Sequence, residues 1–85
     1  MFNETQIVLA VVQKQGMLSS DGTYNDDPFL ASLKRFSSTD FHVRETAMFE
    51  GFFDFVNLQR GVFDQVGFGE FCRLVVMLTS TSYLL

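Results

Sequence analysis

The sequence predicts an all-α domain built from four short helices. Helix-capping signals stand before each of the first three apolar segments, and within the segments apolar residues return every three or four positions. Between them collect Gly, Ser, Asp and Asn, the residues of turns.

The first helix is expected from about Glu4 to Gln15. Asn3-Glu4-Thr5-Gln6 offers an N-cap with Gln three residues on, and Ile7, Val8, Val11 and Val12 then repeat at helical spacing. Leu9 and Ala10 widen the apolar face, although so many β-branched residues also suit a strand. Gly16 supplies a stop. Residues 17–26 form a loop with a turn at Asp21-Gly22.

Asp27 followed by Pro28 marks a second start, because proline lacks the N–H that the first helical position cannot use. The second helix runs from about Pro28 to Phe36, with Phe29, Leu33 and Phe36 on one side and Lys34 and Arg35 at its negative end. Ser37-Ser38-Thr39-Asp40 breaks and recaps the chain, and the third helix continues to about Leu58. On a helical wheel Phe41, Met48, Phe49, Phe52, Phe53, Phe55 and Val56 fall in one broad arc, with Ala47, Glu50, Asp54 and Asn57 opposite. Gly51 costs this helix about 1 kcal/mol relative to Ala, a cost that a close approach or a kink would explain. Arg60-Gly61 ends it, and residues 61–69 form a second loop. The fourth helix, about Phe68 to Leu78, presents Phe71, Leu74, Val75 and Leu78 at helical spacing.

The chain has 85 residues, enough for one domain, and 47% of them are hydrophobic, which argues for a folded core and against disorder. Its ten acidic and six basic residues are scattered and give a net charge of −4, so no basic patch forms for nucleic acid or an anionic membrane. Neither apolar run, Ile7 to Val12 or Leu74 to Leu78, approaches the roughly 20 residues of a membrane span. No basic stretch precedes the first run, as a secretory leader requires. A single cysteine, Cys72, cannot form an intrachain disulfide, and a soluble, cytoplasmic protein is expected.

Val66-Gly67-Phe68-Gly69-Glu70-Phe71-Cys72-Arg73-Leu74-Val75-Val76-Met77-Leu78 resembles the second half of an EF-hand. Val66, Phe68 and Glu70 fall at the family's alternating loop positions, and Phe71, Leu74, Val75 and Leu78 at the apolar positions of its exiting helix. With the order helix, Asp-Gly loop, helix, linker, helix, Gly loop, helix, the chain is similar to a degenerate pair of hands of the calmodulin and light-chain kind. Phe49, Phe52, Phe53 and Val56 match an entering helix if the second loop begins at Asn57, whereas Glu70 as the loop's last ligand sets its start at Gln59.

The resemblance implies short strands at Tyr24 and Val66 that join the two loops. Met17 and Pro28 occupy the first and last ligand positions of loop one, and Glu70 is the one acidic ligand matched in loop two, so tight calcium binding is not expected and no cofactor is implied. Members that work without calcium hold an amphipathic helix of a partner in an open apolar groove. That function is the expectation here, carried by Phe49, Phe52, Phe53, Val56, Leu74, Val75 and Met77 as groove or core.

The alternative is an unrelated helical protein, either a homodimer or a microbial or viral inhibitor that blocks a target. The Phe49, Phe53 and Val56 triplet could itself dock in another protein's groove. Nothing points to an enzyme: no acid, base and nucleophile converge, and His42 with Glu45 lacks a further metal-binding side chain. Cys72 beside Phe71 and Leu74 reads as a small core residue, and Tyr83-Leu84-Leu85 as a frayed end or a terminal recognition motif.

Overall fold

Four helices, α1 (Glu4–Gln15), α2 (Pro28–Phe36), α3 (Phe41–Gln59) and α4 (Phe68–Thr79), follow the capping signals of the chain. The computed structural model describes residues 3–59 and 66–80, in which no strand forms and the fold is all-α. Most of loop two and the Tyr83-Leu84-Leu85 tail lie outside the described residues.

The capping box of α1 closes in both directions. Asn3 Oδ1 accepts from the Gln6 N–H at 2.9 Å, and Gln6 Oε1 accepts from the Asn3 N–H at 2.9 Å. Val8, Val11 and Val12 are fully buried, so tertiary packing overrides the weak helix preference of valine. At α2 the Asp27 carboxylate accepts from the Leu30 N–H at 3.1 Å, with Pro28 in the first turn. Asp40 opens α3 by accepting from the His42 and Val43 N–H groups.

Gly16 ends α1 with φ −99°, which any residue could adopt; its lack of a side chain is needed because α2 crosses there. A Cβ on Gly16 would overlap the Pro28 carbonyl oxygen. Below that crossing the buried Ser32 hydroxyl donates to the Val12 carbonyl, so the one polar side chain buried on α2 is satisfied by α1.

The Asp21-Gly22 turn forms as expected. Gly22 takes φ 88°, a conformation that favours glycine, and Asp21 accepts from the Thr23 N–H at 3.0 Å and the Thr23 hydroxyl at 2.7 Å. Tyr24 makes an antiparallel bridge to Leu18 of its own loop rather than serving as a strand toward Val66. The Asp-Gly turn reverses the chain so tightly that the two arms of the loop satisfy each other, as in Ser19 N–H to Thr23 O at 2.7 Å and Asn25 N–H to Met17 O at 2.7 Å.

α1 packs against all three other helices. The core joins its three valines to Phe36 of α2, Ala47, Met48 and Phe55 of α3, and Phe71, Leu74, Val75 and Leu78 of α4. One expectation fails here: Ala47, assigned to the polar side of α3, is fully buried, whereas Phe41, Phe49, Phe53 and Val56 of the aromatic arc are exposed. Bulk explains the reversal. A Cβ on Gly51 would lie 3.1 Å from both Phe36 Cζ and Phe71 Cζ, so Gly51, with Ala47 one turn before it, faces inward beside Met48 and Phe55 and admits rings from the neighbouring helices.

Candidate functional site

The inward face of α3 is Ala47, Met48, Gly51 and Phe55. With a rotation of 100° per residue, Phe49 and Phe53 point almost directly away from it. They are 56 and 70% exposed, while Phe55, two positions on, is fully buried. The helix is therefore apolar on two opposite sides, and among the described residues one of them is buried and the other largely exposed.

Between α3 and α4 runs a groove of about 350 Å³ lined by Phe41, Met48, Phe49, Phe68, Cys72 and Val76, with Arg44 and Glu45 as its charged lining. Phe68, Cys72 and Val76 stand four residues apart, one stripe along α4. Phe49 stacks on Phe68 with centroids 5.1 Å apart, and Phe52 meets Phe68 edge-on at 5.3 Å. Phe52 then contacts Phe71 at 5.6 Å, and Phe71 contacts Phe55 at 5.1 Å. The rings thus form a continuous path from the groove surface to the centre of the core.

The charges at the site are largely held by the protein itself. The Arg44 guanidinium lies 5.7 Å from the centre of the Phe41 ring and donates to the Ser38 carbonyl at 2.7 Å. A second depression, lined by Gln15, Phe49, Glu50, Phe53 and Asp54, holds about 450 Å³. There Asp54 pairs with Lys14 at 3.5 Å and accepts from the Gln15 amide, while Glu50 pairs with Arg35 at 3.0 Å. Burial pushes the Cys72 thiol above its ordinary range, so it lines the groove as a neutral, polarisable group. At the start of α4 the Arg73 guanidinium holds the Glu70 carboxyl below its usual value by a hydrogen bond of 3.0 Å.

The seven residues selected from the sequence divide. Leu74 and Val75 are core; Phe52 and Met77 are half-buried against it; Phe49, Phe53 and Val56 face outward. Phe41 and Val76, both exposed, and the half-buried Phe68 complete the groove lining and were not selected, although the four-residue stripe of α4 is legible in the sequence. His42 is exposed and sets its ring edge-on to Phe41 at 6.1 Å. Among the described residues no group of three or more His, Cys, Asp or Glu is placed to hold a metal ion, and no helix is long and apolar enough to cross a membrane.

These features define a small four-helix domain with a two-sided aromatic helix and an apolar groove. Comparison with protein-family models, with curated proteins and with solved structures gives no match.

Proposed function

We propose that the chain is a protein-interaction module that seats an amphipathic helix of a partner on the α3–α4 surface, without calcium and without catalysis. The observation that carries it is the pair Phe49 and Phe53: large rings directly opposite the buried face of their own helix, in a chain whose core is closed without them. A helix with apolar residues on two opposite sides has one side more than its own core uses, and an exposed apolar face of this kind marks an interaction surface. The groove beside Phe49 offers the concave apolar seat that a helix with anchors at three- and four-residue spacing needs.

The EF-hand-like reading is part of the proposal. Phe71, Leu74, Val75 and Leu78, the positions matched to an exiting helix, are all buried, which agrees with that reading. A reducing, cytoplasmic setting suits it as well, since the Cys72 thiol lines the groove.

Co-purification from native cells with the wild-type chain and with Phe49→Asp tests the function. A protein retained by the wild type in a calcium chelator, and lost by a folded variant, supports it. Equal retention by both chains, or retention that needs calcium, refutes it.

A further inference from the structure

We draw no further inference here: the strongest candidate, the apolar groove between α3 and α4 together with the exposed Phe53 ring, belongs to the site already described, and nothing in the structure shows what covers it.

Discussion

Phe53 and Phe55 sit two residues apart on one helix, and truncating each to Ala should have opposite consequences. Phe55 is fully buried, with its ring 5.1 Å from Phe71 and 6.3 Å from Phe52. Removing it deletes the transfer free energy of the ring and leaves a cavity, a loss of about 3–5 kcal/mol. A domain of this length has a total stability of about 4–13 kcal/mol, so Phe55→Ala brings the chain close to unfolding. Phe53 is 70% exposed, so less than a third of its burial is at stake, or under about 1 kcal/mol. Ala is also the better helix former by about half a kcal/mol, which leaves Phe53→Ala within about 0.5 kcal/mol of neutral. Urea unfolding followed by circular dichroism measures both. A loss above about 2 kcal/mol for Phe53→Ala would place that ring in the core and refute the outward face of α3.

Gly51→Ala should fail to stabilise α3: the propensity gain of about 1 kcal/mol is met by overpacking of about 1–3 kcal/mol against the Phe36 and Phe71 rings, so thermal melting should show a net loss or no change. Gly16→Ala should be worse, because the overlap there is with the Pro28 backbone, and a loss above about 2 kcal/mol in urea unfolding is expected. Asp21 has a carboxyl held below its ordinary value by the Thr23 hydroxyl and N–H; the stability this gives is present above the ordinary value of 3.8 and is lost as pH falls through the lowered one. Asp21→Asn should therefore show a shallower fall of melting temperature on acidification below about pH 4 than the wild type. Cys72, its thiol raised by burial, should be less than half ionised at its ordinary value of 9.0 and react with iodoacetamide more slowly there than a free small thiol.

Local chemistry made the helices legible. Asn3 with Gln6, Asp27 with Pro28, and Asp40 each act through groups within three residues in sequence, so their effect could be read without knowing the fold. The Asp21-Gly22 turn was readable for the same reason. The rotation of α3 was not. A helical wheel weighs each residue by its own hydrophobicity and so turns the phenylalanines inward, whereas the packing turns Ala47 and Gly51 inward because Phe36 and Phe71 arrive from other helices. Gly16 misleads in a similar way: it reads as a helix stop, yet it is the approach of α2 that forbids a side chain. Both cases depend on what lies across the interface, information that a single chain segment does not carry.

The rotation of α3 also bears on function. Three buried rings, Phe36, Phe55 and Phe71, fill the centre of the domain around Gly51, and Phe52 and Phe68 extend that packing to the surface. Gly51 and Ala47 on the inner face, beside Met48 and Phe55, thus let Phe36 and Phe71 reach the centre, and α3 is left with Phe53 largely exposed and Phe49 held by its stack on Phe68. Exposed rings of this size carry a cost in solubility that folding does not require of this chain. Replacing Phe53 by a polar residue would leave the buried core residues in place, and its outward placement is the strongest ground for the interface proposed on α3. The stacked Phe49 and Phe68 pair forms the groove's wall and joins a ring path that reaches Phe55, so the helix proposed to seat there would meet rings already packed on one another, and each side chain that is ordered beforehand leaves more of the contact free energy to appear as affinity.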